Sequence, residues 1–192
     1  VQQTPPDYLL SLNSADQTSP SGVKFDGVVL AHCLWYFSSP SLILSTLREL
    51  KRHARYLFLA EWSLSASDPA AQPHVLAALA QASLECHKAD SESNVRTVLS
   101  PKRLTELALN AGWQLRDESR VAGGEGLLDG VWEVGACLSP TFTREIEEQI
   151  GGERERGVVL ALRDACEASL ESVPAGRKGV TVMDVWCASF TC

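Results

Sequence analysis

The stretch Phe25–Leu64, FDGVVLAHCLWYFSSPSLILSTLRELKRHARYLFLAEWSL, constrains the fold more than any other part of the chain. Asp26 opens an apolar run through Val28, Val29 and Leu30 that breaks at Ala31-His32-Cys33, and a second run, Tyr56-Leu57-Phe58-Leu59-Ala60, ends in Glu61-Trp62. Short apolar runs bounded by polar residues predict β-strands. Between them Ser39 can cap the free amides of a helix and Pro40 suits its first position. The spacing predicts a helix over about 41–52 with Leu44, Leu47 and Leu50 facing the sheet. Continuous apolar strands joined by a helix predict a parallel sheet covered on both faces. Ligands of such sheets sit beyond the carboxyl ends of the strands, which makes His32, Cys33, Glu61 and Trp62 a candidate site.

The rest of the chain reads as further α/β elements. Residues 1–24 are rich in Pro, Ser, Gln and Asp and predict a loop with one short apolar element at Tyr8–Leu12. Beyond Glu61, Val75, Leu79, Ala82 and Cys86 share one face of a helix running to about Lys88, with His74 and His87 expected on its surface. Ser100 and Pro101 open a third helix, Leu104, Leu107, Ala108 and Ala111 form its inner stripe, and Gly112 closes it. A strand follows from Trp113 to about Val121, then a plain loop over Ala122–Gly126, and Gly130–Leu138 predicts another strand. Because that glycine-rich loop is expected to feed a strand and not a helix, it does not predict a phosphate cradle. Ser139-Pro140 starts a helix through Ile150, a further helix carries Val158, Val159, Leu162, Cys166 and Leu170, and Val180–Phe190 predicts a last, buried strand. No repeat or internal boundary interrupts residues 1–192, so one domain is expected.

Composition removes several function classes. A formal charge of −7 opposes sequence-independent nucleic-acid binding, and Lys51-Arg52-His53-Ala54-Arg55 is accounted for by a helix carboxyl end. No segment approaches the roughly 18 apolar residues of a membrane span, and no signal peptide is expected at the start. Six dispersed cysteines without a CxxC pair predict buried thiols in a reducing compartment, hence the cytoplasm, and no metal site. A serine nucleophile would want G-x-S-x-G, and neither that run nor a Walker or G-x-G-x-x-G motif occurs. His32 and Cys33, adjacent on an extended chain, point to opposite faces and make a poor dyad.

Four passages in order resemble the second half of a class I S-adenosylmethionine-dependent methyltransferase. FDGVVLAHCLWYF is similar to that family's fourth strand and LRELKRHARYLFLAEWS to its next helix and fifth strand. LSPKRLTELALNAGWQL is similar to its helix, AGW and sixth strand, and GVTVMDVWCASF to the seventh, which runs antiparallel. The resemblance covers most of residues 23–192 and implies a Rossmann-like, mostly parallel sheet with an antiparallel last strand. It also implies S-adenosylmethionine as cofactor. The glycine-rich turn and the ribose-binding acid of the family's first half have no place before Phe25, so the sheet is expected to lack its first strands. Such a half-fold exposes an edge and apolar faces, and implies a companion chain or further residues that complete it.

The resemblance puts Ala31 and His32 beside the methionine portion of the cofactor and Asp7 near its adenine. His32 is either a general base or a satisfied structural histidine, and Glu61 either an acid–base or orienting group or a plain loop carboxylate. Trp35, Tyr36 and Trp62 either line a pocket for a flat or cationic substrate or fill the core. The insertion Ser65–Asn94 falls where the family builds a substrate lid. Two readings follow: methyl transfer to a small-molecule or protein nucleophile, or a catalytically silent subunit that binds or regulates a partner.

Overall fold

The structure, a computed structural model, describes residues 25–91, 93–124 and 126–192; Asp7 and the apolar element at Tyr8–Leu12 lie outside the described residues. Four strands form one sheet in the order β1-β2-β4-β3: β1 (Phe25–Ala31), β2 (Ala54–Trp62), β3 (Gln114–Val121) and β4 (Val185–Thr191). β1 and β2 pair in parallel from Phe25↔Ala54 to Ala31↔Ala60. β4 enters between β2 and β3 and is antiparallel to both, with Leu57 and Leu115 each opposite Phe190. Three strands therefore point one way and the last opposes them, as the resemblance implies.

α1 (Pro40–Lys51) and α3 (Pro101–Asn110) cover one face of this sheet. Ile43, Leu47 and Leu50 of α1 and Leu104 and Ala108 of α3 bury against Leu57, Leu59, Trp186 and Phe190. Each fully buried aliphatic of that stripe contributes roughly 2 kcal/mol. The AGW passage locks the layer. Gly112 takes φ +93°, Lys51 donates to its carbonyl, and the buried Trp113 indole N–H donates to the Leu47 carbonyl at 2.9 Å. The opposite face corrects the expectation of a sheet covered on both sides. Among the described residues nothing packs there, and Val29 is 68% exposed, with Phe58 and Tyr56 also open. The two helices that pack on the sheet, α1 and α3, lie on the same side, so alternate strand residues stay uncovered.

A second, purely helical layer stands at the carboxyl ends of the strands. α2 (Gln72–Glu85) is its centre, wrapped by α4 (Asp129–Cys137), α5 (Pro140–Gln149) and α6 (Glu153–Ser169). α4 corrects the expected strand at Gly130–Leu138. Although Val131, Trp132 and Val134 favour strands, the buried positions are Gly130, Val134 and Cys137, a helical spacing that tertiary packing enforces. Gly130 is required there: a Cβ would strike the Thr181 carbonyl. The final strand starts at Val185, later than expected, since Val180–Asp184 is spent threading between the layers, where Met183 is fully buried. The thiols also differ from expectation: Cys137 and Cys166 are buried, but Cys86 and Cys192 are exposed, and all six are free. No described helix is long and apolar enough to cross a membrane.

Candidate functional site

β1 ends in an abrupt turn. His32 adopts φ +47°, a left-handed conformation uncommon for a residue with a Cβ, while its N–H still donates to the Ala60 carbonyl at 2.8 Å. Left-handed geometry, not extended chain, therefore separates His32 from Cys33. A short 3-10 turn, Leu34–Tyr36, follows, and Glu61 at the end of β2 anchors it: one carboxylate oxygen accepts the Leu34 N–H at 3.0 Å, the other the Trp62 N–H at 3.1 Å. Glu61 is 1% exposed, and its Oε1 lies 3.6 Å from His32 Nδ1. Burial, aided by the Glu61 charge, pushes the Cys33 thiol up, so it stays protonated.

A cleft of about 190 Å3 opens over this junction. His32, Trp35, Glu61 and Trp62 form its floor and one wall, α2 contributes His74, and α4 contributes Asp129, Trp132 and Glu133. The Trp62 ring lies between two imidazoles, 4.4 Å from His32 and 5.2 Å, edge-on, from His74. The structure brings His32, Glu61, Trp35, Tyr36 and Trp62 together at one cleft, and Cys33 is not among its lining residues. Trp35 is both pocket wall and core, 4% exposed, whereas Tyr36 is 53% exposed at the rim. Ala31 lies beside the cleft, exposed, in register with Ala60.

Three site residues escaped sequence reasoning. His74, expected on the surface, is 1% exposed, and its Nδ1 accepts the Met183 N–H at 3.1 Å. Burial holds it far below the usual histidine range, at about 4, despite the opposing pull of Asp129, so it is neutral near pH 7. The signal was present: from Gln72 to Leu84 α2 carries no charged residue, and a helix apolar all round is a buried one. Asp129 and Glu133 were hidden by the strand assignment, which leaves Asp129 outside the element and turns Trp132 to the face opposite Glu133; at helical spacing the three share one face. Burial chiefly, and the Asp129 charge, raise the Glu133 carboxyl, while a hydrogen bond from Gln81 pulls the other way. His87 is half-buried at the end of α2 and does not reach the cleft. Among the described residues no cluster of His, Cys, Asp or Glu is built to hold a metal.

Sheet order, the antiparallel β4 and a cleft at the carboxyl ends of β1 and β2 together define a Rossmann-like fold of the class I methyltransferase type. In sequence the chain is similar to methyltransferases. It is 30% identical over 201 aligned residues to methyltransferase phomM' of Diaporthe leptostromiformis and 29% identical to methyltransferase phomM of the same organism. Both alignments take in 93% of this chain and 52% of the relative, so the chain spans about half the length of the curated relatives it matches. Among solved structures it superposes with a TM-score of 0.71 on a cyclopropane-fatty-acyl-phospholipid synthase-like protein from Lactobacillus casei ATCC 334. That match is at 23% identity and covers 96% of this chain and 60% of the other, and it shows the fold alone. No protein-family model matches the chain.

Proposed function

We propose that this chain forms the acceptor side of an S-adenosylmethionine-dependent methyltransferase acting on a nucleophile of a small molecule or a protein. The observation that carries the reading is the His32–Glu61 junction, set at the carboxyl ends of β1 and β2 in a sheet of methyltransferase order. When bound, the cofactor supplies an electrophilic methyl group on a sulfonium. The residues present fit such a cation: the cleft walls are aromatic and acidic, and no Lys or Arg lines them. Ala31 and His32 would border the methionine portion, and Asp7, by family resemblance, the adenine. The groups for the ribose are assigned to further residues or a companion chain that also covers the open sheet face.

Little covalent chemistry is asked of the protein; alignment and exclusion of water dominate. Glu61, fixed by two backbone N–H groups, sets its carboxylate 3.6 Å from His32 Nδ1. That leaves Nε2 to take a proton from the acceptor. Trp35, Tyr36 and Trp62 line the acceptor's place, and Ser65–Asn94, which contains α2, forms the wall opposite β1. A small-molecule acceptor suits a cleft of this size, and the six free thiols support a cytoplasmic location. The exposed Val29 and Phe58 favour a second reading, a silent methyltransferase-like subunit whose open face binds a partner.

Calorimetric titration with S-adenosylhomocysteine separates the two. Saturable micromolar binding supports the enzyme; absence of heat from the folded chain, both alone and with its completing half, favours the silent subunit. In an active preparation His32→Ala should lower kcat by about 100-fold with little change in cofactor affinity. An equal loss in both would remove the proton-accepting role.

A further inference from the structure

We propose that the acceptor cleft is selective for a small organic cation, an ammonium carried on a flat apolar body. The selectivity rests on the cleft alone; only the use of that ammonium as a methyl acceptor rests on the methyltransferase reading. Asp129 and Glu133 lie one helical turn apart on the face that α4 presents to the cleft, with Trp132, 64% exposed, between them. Neither carboxylate is ion-paired among the described residues. Among the described residues Glu133 is held only by Gln81, whose amide donates to it at 2.5 Å. His74, which shares the cleft lining, does not neutralise Asp129, because burial keeps it uncharged near pH 7.

Two like charges facing one partly desolvated space repel each other, and a cation placed between them relieves that repulsion. The remaining walls suit the same ligand. The indoles of Trp62 and Trp132 and the Tyr36 phenol offer aromatic faces to a cation and to a flat body. A separate observation marks the floor. Trp35 lines the cleft, and its buried indole N–H has no hydrogen-bond partner among the described residues. An ammonium in this place can pass one proton to His32 Nε2, giving a neutral amine with a free lone pair and an imidazolium facing Glu61.

The test uses three probes of one shape, benzylammonium, benzyl alcohol and benzoate, titrated into the 192-residue chain with tryptophan fluorescence as readout. The expected order is benzylammonium at least about tenfold tighter than benzyl alcohol, with benzoate weakest. Glu133→Gln, which keeps shape and can keep a Gln81 hydrogen bond, should cut the preference several-fold, and Asp129→Asn likewise. Raising salt on the unaltered chain should weaken benzylammonium alone, a check that needs no variant to fold. Equal affinity for benzylammonium and benzyl alcohol, or tighter benzoate, overturns the inference. S-adenosylhomocysteine run in parallel keeps the two questions apart. Its binding without cation preference would leave the methyltransferase reading and remove this one; cation preference without its binding, both alone and with the completing half, would do the reverse.

Discussion

His74 joins the sheet-side and helix-side halves of the cleft, since it sits on α2, touches Trp62 and accepts the Met183 N–H from the segment that leads into β4. Its ionisation carries a cost that can be measured. Folded, it resists protonation until about pH 4; unfolded, it takes a proton near 6.5. Between those values the unfolded chain binds more protons, so stability is full above pH 6.5 and falls as pH drops toward 4, by on the order of 3 kcal/mol. Denaturant titrations at a series of pH values should show this slope, and His74→Phe should flatten it while lowering stability at pH 7 by about 1–3 kcal/mol through the orphaned Met183 N–H. A slope unchanged in the variant would assign the acid sensitivity to other groups. At this scale the sequence showed His32, Glu61 and Trp62, because a strand exit is a local feature. It did not show His74, whose place depends on a partner more than 100 residues away.

Elements were legible where their punctuation was local. α1, α3 and α5 each begin with Ser-Pro, and in each the serine hydroxyl accepts the N–H of the third helical residue, at 3.2, 3.4 and 3.1 Å. α4 has no such cap and follows a glycine-rich stretch, so its only signal was the spacing of Gly130, Val134 and Cys137, which β-favouring neighbours masked. Gly130 fixes how close α4 comes to Thr181. Gly130→Ala therefore sets a helix gain of about 1 kcal/mol against overpacking of about 1–3 kcal/mol. The expected outcome is a lower Tm and weaker benzylammonium binding, since α4 carries the two carboxylates. A higher Tm would mean that α4 can shift without consequence.

Among the described residues the molecule is a sheet with one open face joined to a helical layer, and that face should behave as surface in this chain and as interface where a partner covers it. Val29→Lys should leave unfolding of this chain within about 0.5 kcal/mol, yet reduce its association at high concentration, followed by light scattering. A large loss of stability would show that Val29 is already covered. The parallel strands were readable from apolar runs and their order, and the antiparallel one from the family resemblance. The helical layer was not, because it is held by contacts between α2, α4 and α6 that no local pattern encodes. The place of β4 has a temporal consequence. As the ribosome releases the chain, β3 emerges some 60 residues before β4, the only described strand to which it bonds. Until Val185–Thr191 arrives, β3 is an orphan, and its Arg116-Asp117-Glu118 and Arg120 keep a stranded ribbon from seizing the wrong neighbour. The seven residues of β4 thus act as a clasp closed last, and a nascent chain stalled short of them would be a β1–β2 pair with a loose, charged tail.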